Sequence, residues 1–370
     1  MIRLKLLLCS LILLISCDKS EDTVANATPL TDFSAPFYFG LFELPPGDLL
    51  TEERVELGRM LFYENRLSLD NSVSCATCHQ QSMAFTDGRK LGRGIGGQNS
   101  DRNTMSIVNV LWSSPRMFWD GRAGSLEDQA LHPIADPKEM NLSINEAVMR
   151  LRNIPEYQEK FKDAFGTDEI EKEHLAKALA QFQKTLVSQD SKYDKFLKGE
   201  LQLSENELRG MQSFFTHPDA SIGLRGSNCG DCHRNFLTDG FSNALDGFAN
   251  NGLDDDENLE NGLFDVTGNP TDKGKFTVPS LRNIELTSPY MHDGRFNTLE
   301  EVLDHYNDHI RESETLDVLI RDASNEPRQP DDPIALKLTD QDKQDIIAFL
   351  LTLTDSTFIT NEKFSDPFIN

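Results

Sequence analysis

The 370-residue chain is 38% hydrophobic and 26% charged, which is enough apolar material for two domains of ordinary size and too polar for a polytopic membrane protein. Its 61 acidic residues outnumber 36 basic ones, a formal charge of −25, and no basic stripe interrupts that excess, so nucleic-acid binding is excluded.

In chain order, residues 1–16 open with Arg3 and Lys5 and continue as an apolar run too short to span a bilayer, which reads as a secretory signal. Leu14, Ile15, Ser16 and Cys17 match the lipobox of bacterial lipoproteins. The match implies cleavage before Cys17 and a lipid anchor there, in a cell envelope, periplasm-facing or outer-membrane associated. Losing Arg3 and Lys5 takes the charge from −25 to −27. Residues 17–45 are polar and Pro-containing, as suits a tether.

Two units follow, 46–190 and 191–370. The first opens on a helical segment from Thr51 and the second on one from Ser204, where Ser-x-x-Glu forms a capping box. Both segments carry Glu-Leu, then Gly, then Phe four residues on. Each unit then has C-x-x-C-H, Thr-Asp-Gly, and the skeleton S-x-x-N, S-P, DGR, S/T-L-E, at Ser106–Asp128 and Ser280–Glu301. From Cys75 to Cys229 is 154 positions and from Asp120 to Asp293 is 173, so the second unit holds 19 more residues. The excess falls in Asp246–Lys275, rich in Asn, Gly and Asp. It lacks the alternating ligands of an EF-hand and reads as a solvated acidic loop. Stretches from Ile144, Glu169 and Leu338 repeat apolar residues at helical spacing, and no alternating strand run appears. The expected fold is all-α, two cytochrome c-like haem domains related by internal duplication.

Cysteine usage decides the chemistry. Cys9 lies in the leader and Cys17 is the lipid site, so every remaining cysteine belongs to CATCH (75–79) or CGDCH (229–233). Two thiols at this spacing form thioethers with the vinyl groups of one haem, and the next histidine offers a nitrogen to iron. Cys75, Cys78 and His79 are expected to hold one c-type haem, and Cys229, Cys232 and His233 another. A Cys/His zinc site would not need histidine directly after the second cysteine twice over, and a redox dithiol lacks its βαβ context.

With FWDGRAGSLEDQA (118–130), PKEM (137–140) and PSLRNIELTSPYMHDGRF (279–296), the chain resembles the bacterial dihaem cytochrome c peroxidases. Their superfamily includes the dihaem enzyme of methylamine utilisation that matures a tryptophan-derived quinone. The resemblance implies that the His79 haem cleaves peroxide and the His233 haem relays electrons. It makes Glu139 the distal acid/base, Gln129 its hydrogen-bonding neighbour and Trp119 the bridge between haems. It also implies a calcium ion held by Asn103, Thr287 and Pro289, an oxygen-only set suited to a hard cation. Trp112, His132 and His174 read as structural.

Two departures concern axial ligands. Where many of these peroxidases place a histidine that closes the peroxide site, GRGIGGQNSDRNT (92–104) has none, and Ile95 stands about there. Where they use a methionine fourteen positions after the HDG histidine, counting from His292 gives Tyr306. Tyr306 is the leading sixth ligand of the second haem, with Met291, His305 and water as rivals. The expected activity is reduction of hydrogen peroxide to water with electrons from a small exported cytochrome c or copper protein. The alternatives are a dihaem oxidase of a protein or small molecule through a high-valent state, and a non-catalytic electron carrier. A homodimer is a further expectation from the resemblance.

Overall fold

In the computed structural model, which describes residues 27–39, 44, 48–112, 116–234 and 247–369, the apolar periodicity resolves into helices joined by long loops. The leader, Cys17, most of the tether, Leu237–Gly240 and Asp246 lie outside the described residues. The helices are α1 (Glu52–Phe62), α2 (Cys75–Cys78), α3 (Leu126–Ala135), α4 (Ile144–Arg152), α5 (Pro155–Phe165), α6 (Lys172–Lys184) and α7 (Lys192–Leu197). They continue as α8 (Glu205–Phe215), α9 (Cys229–Cys232), α10 (Phe264–Thr267), α11 (Leu299–Asp308), α12 (Val318–Asp322) and α13 (Asp340–Leu351). Among the described residues the only named strands are β1 (Phe248–Ala249) and β2 (Phe276–Thr277), antiparallel with Phe248 opposite Thr277. The architecture is helical, as expected, apart from this two-residue clasp.

Polar side chains start the helices by satisfying amides that have no partner within the first turn. Thr51 Oγ1 accepts from Arg54 N at 3.3 Å to begin α1. The capping box read from sequence begins α8, with Ser204 N donating to Glu207 Oε2 at 2.7 Å. At α11, Glu301 N donates to Thr298 Oγ1 at 3.2 Å. Gly166, at φ 70°, closes α5 in the left-handed conformation that glycine tolerates.

Each half is built on a helix pair brought together at a glycine. A methyl group at Gly58 of α1 would lie 2.0 Å from Ala178 O and 2.8 Å from Phe182 Cβ on α6. One at Gly210 of α8 would lie 1.9 Å from Asp345 O and 2.9 Å from Phe349 Cβ on α13. The absent side chain lets backbones touch, and Phe62, Phe182, Phe214 and Phe349 fill the space beside them, all fully buried or nearly so. Correspondence continues past the helices, where Asn109 N donates to Leu186 O (2.8 Å) and Asn283 N to Leu353 O (3.1 Å).

The halves are tied at their matching ends. Asp355 Oδ2 accepts from Ser188 Oγ (3.1 Å), Gln189 N (3.0 Å) and Asp190 N (2.9 Å), and Asn283 Nδ2 donates to Ser188 Oγ at 3.0 Å. Beyond Asp355 the chain returns to the first core, where Phe358 and Phe364 are buried and Tyr63 Oη donates to Phe364 O at 2.7 Å. A division at residue 190 assigns this tail to the second unit, yet its Phe358 and Phe364 are buried in the first.

Gly58→Ala and Gly210→Ala are each expected to destabilise the protein by about 1–3 kcal/mol, the scale of overpacking. Thermal unfolding checks this. Either variant melting with the parent would show that the helices can separate freely.

Candidate functional site

The short helices α2 and α9 carry the two C-x-x-C-H motifs to the walls of two cavities. Cys229, Cys232 and His233 line one of about 240 Å³, shared with Met291 and Tyr306. Cys78 and His79 line another of about 660 Å³, and an adjoining space of about 50 Å³ adds Cys75 to the same surroundings. None of these four cysteines is in a disulfide, which leaves both sulfurs of each motif for the vinyl groups of a haem.

Each histidine is turned by a carbonyl. His79 Nδ1 donates to Phe85 O at 2.9 Å and His233 Nδ1 to Pro279 O at 3.1 Å. That hydrogen bond puts the proton on Nδ1 and leaves the Nε2 lone pair for a metal. Burial lowers the basicity of both rings, to about 4 at His233, which keeps them in the neutral form that binds iron. Ala84 and Phe85 are both left-handed (φ 48° and 59°), a local cost of order 1 kcal/mol each that turns the Phe85 carbonyl back toward His79.

The side chains facing the larger cavity include one buried polar atom without a protein partner. Gln129, on α3, has a buried Oε1 with no hydrogen-bond partner among the described residues. Arg93 donates to Gly97 O at 3.3 Å, and no carboxylate pairs with it among the described ion pairs. Gln183, on α6, also faces this space and is buried. Two thiols, an imidazole with a free Nε2, apolar walls and an unpaired guanidinium fit a covalently held haem, whose propionates need cations.

Glu139 sits on the same wall, in the turn after α3. Burial, with the nearby Asp136 charge adding to it, raises its carboxyl to about 7 against a smaller opposing pull from Arg122. The loop carrying Ile95 is pinned to this turn, since Ile95 N donates to Glu139 O at 2.7 Å. A methyl group at Gly94 would lie 2.1 Å from Lys138 O. Ile95 is therefore buried against Glu139's own backbone.

Trp119 and Asn103 line both main cavities. The indole donates from Nε1 to Asn103 O at 2.9 Å, and the Trp119 carbonyl accepts from Thr277 N at 2.8 Å. Thr287 and Pro289 line the smaller cavity with Asn103. In that cavity Tyr306, on α11, is partly buried, and its desolvation holds its phenol above the ordinary range. Asn251 Nδ2 lies 3.4 Å from both Tyr306 Oη and Met291 Sδ. His305 does not line the cavity, and its Nε2 donates to Asn251 O at 3.0 Å.

The catalytic, haem-binding and calcium-binding residues singled out from sequence thus border one of these spaces, as does Met291, whereas His305 does not and Cys17 lies outside the described residues. His132 is half-exposed with Phe118 and Asp128 beside it, and His174 stacks on Phe165 with centroids 4.5 Å apart, both away from the cavities. Missed from sequence were Gln183, Arg93, Arg122, Asn251 and Glu260. Only Gln183 carried a local signal, a polar residue on the apolar side of α6.

The model of the di-haem cytochrome c peroxidase family matches residues 52–202. The chain is 36% identical to the methylamine utilization protein MauG of Methylorubrum extorquens, over 84% of this chain and 80% of that one. The chain belongs to the di-haem cytochrome c peroxidase family. As a member of this family it is an oxidoreductase with two c-type haems. Cytochrome c551 peroxidase of Nitrosomonas europaea is 39% identical over 68% of this chain and 72% of its own. The crystal structure of a MauG-like protein associated with microbial copper homeostasis superposes with TM-score 0.77 at 35% identity, covering 91% of this chain and 99% of that one.

Membership and motif geometry together predict haem content. Replacing Cys229 and Cys232 by Ala should leave one covalent haem per chain instead of two, read by mass and by the pyridine haemochrome spectrum. A double variant retaining both haems would contradict the assignment.

Proposed function

We propose that this chain is an exported, lipid-anchored peroxidase that reduces hydrogen peroxide to water, taking two electrons from a small exported cytochrome c or copper protein. The observation that carries the reading is the pair Glu139 and Gln129 on the wall of the His79 cavity, one carboxyl poised near neutrality and one carbonyl oxygen without a partner. An electron carrier needs neither. When bound, the haem supplies the redox change and the place where peroxide reacts. Glu139 takes a proton from one peroxide oxygen and returns it to the departing one. Gln129 Oε1 accepts a hydrogen bond from the peroxide and orients it.

The matched glycine contacts and carbonyl bonds support an internal duplication, with 46–190 holding the reactive haem and 191–370 the relay haem. Trp119, in the wall common to both cavities, is the bridge between them. Asn103, Thr287 and Pro289 would hold a calcium ion. The Asn103 amide nitrogen donates to Arg89 O at 2.9 Å, which leaves Oδ1 for the cation.

Tyr306 would occupy the sixth position of the second iron, whose charge offsets what burial does to the phenol. This residue favours a second reading, an oxidase of a protein or small molecule, because phenolate ligation stabilises ferric iron where a thioether would favour the reduced state. Turnover of peroxide with a reduced donor separates the two readings.

Glu139→Gln should keep both haems and slow the reaction with peroxide by about 100-fold or more, the usual scale for a general acid/base. Because the carboxyl titrates at about 7, the base form grows as pH rises. The parent's rate should therefore climb through neutral pH and flatten above it, while the Gln variant should show no such rise. Stopped-flow mixing across pH 5.5–8.5, roughly the range that brackets this group, checks both outcomes. A Gln variant as fast as the parent would remove Glu139 from the mechanism.

A further inference from the structure

Residues 247–275, the described part of the insertion, are solvated only in part, contrary to the sequence reading. Asp255–Asn258 are exposed, but the base of the segment is clamped by β1 and β2. Phe248 and Leu263 are buried against the first unit, where a methyl group on Gly121 would lie 2.8 Å from Phe248 Cζ and 3.1 Å from Leu263 Cδ1. Thr277, on the returning strand, holds the Trp119 carbonyl.

From this anchored base the insertion sends one polar side chain to each cavity. Asn251 reaches Tyr306 and Met291 in the smaller one. Glu260 lies on the wall of the larger one, where it pairs with Arg102. Its other oxygen, Oε1, lies 3.4 Å from His292 Nε2. This is longer than an ordinary N–H···O hydrogen bond, yet no closer partner serves that buried nitrogen among the described residues. His292 in turn stacks on Phe276 with ring centroids 3.7 Å apart and planes within 7°, and the Arg102 guanidinium lies over the same Phe276 ring, 5.1 Å from its centroid. The His292 carbonyl accepts from Asn103 N at 2.9 Å, directly behind the Trp119 bond. Facing His292 and Arg102, the Glu260 carboxyl is held down to about 2.

We propose that Glu260 is a positioning residue that fixes His292 against Phe276 beside the Trp119 wall, and that the insertion thereby sets how fast an oxidising equivalent passes between the two haems. The inference rests on the proposed sharing of that equivalent. His292 bridges the two environments, since its ring lines the smaller cavity while its partner Glu260 lines the larger. A rotation of the ring would break the stack with Phe276, whose neighbour Thr277 holds the Trp119 carbonyl.

A double-mutant cycle tests the coupling, because a residue acting through another gives non-additive effects. Ferric parent, Glu260→Gln, His292→Gln and the double variant, each with both haems, are mixed with one equivalent of peroxide. Spectral changes at each haem are then followed separately. Glu260→Gln should leave the initial reaction at the His79 haem within about twofold of the parent and slow the following change at the second haem about tenfold. The double variant should be no slower than His292→Gln alone, and Glu260→Asp should restore part of the rate. Multiplying effects, or a Glu260→Gln variant that shares the equivalent at the parent's rate, would overturn the proposal. A parent whose second haem never responds would overturn the sharing itself, and the parent trace alone distinguishes that failure from one confined to Glu260.

Discussion

One hydrogen bond, from the Trp119 indole to the Asn103 carbonyl, fixes the wall on which the two-cavity arrangement depends. Asn103 is held from three sides. Its backbone amide donates to His292 O, its side-chain amide donates to Arg89 O, and its carbonyl receives the indole. Trp119 is held from the other end by Thr277 of β2. Segments of both halves therefore meet at one aromatic plane that borders both cavities. The plane is buried, where a polar N–H without a partner would cost roughly 1–3 kcal/mol, so the bond constrains the ring's orientation as well as its place.

The helix pairs explain why two such cavities exist in one chain. Gly58 and Gly210 bring α1 onto α6 and α8 onto α13 with nearly equal closeness, and each pair ends in an asparagine that bonds the carbonyl after its second helix. The ends then bond to each other through Ser188 and Asp355. Below this seam, buried Arg282 pairs with Asp194, which also accepts from Tyr38 Oη at 3.0 Å, tying the N-terminal segment to the second half. Such a buried pair costs desolvation and is tolerated because both carboxylate oxygens are multiply bonded, Oδ1 by Arg282 and Tyr38 and Oδ2 by Arg282 and Ser191, although Arg282 Nε has no partner among the described residues.

Most of the candidate site was legible because its residues lie in contiguous motifs. C-x-x-C-H joins three donors within five residues, and Glu139, Gln129 and Trp119 were reached through the motifs around them. The helices with long apolar periods were legible too. The short α3, with Pro133 inside it, was not read from periodicity, although it carries Gln129. What escaped depends on tertiary approach. Asn251 and Glu260 sit in a segment whose composition signals solvent, and only the packing of Phe248 and Leu263 on Gly121 shows that it is anchored. The tail after Asp355 escaped for the same reason, since nothing local in Phe358 or Phe364 says which core buries them. Tyr306 was reached by counting from His292, and the structure adds that His305, one residue away, is committed to a backbone carbonyl.

On the proposed function, the ferric protein has no histidine in 92–104 to close the peroxide site, so it takes up peroxide without prior reduction and passes the oxidising equivalent across Trp119. Rapid-freeze EPR of the fully ferric protein mixed with one equivalent of peroxide, in the parent and in Trp119→Phe, checks both steps. The resting signals of both haems should fall together in the parent, and only the His79 haem's signal should fall in the variant. A parent that reacts only after one haem has been reduced, or a variant in which both signals still fall together, would contradict this reading.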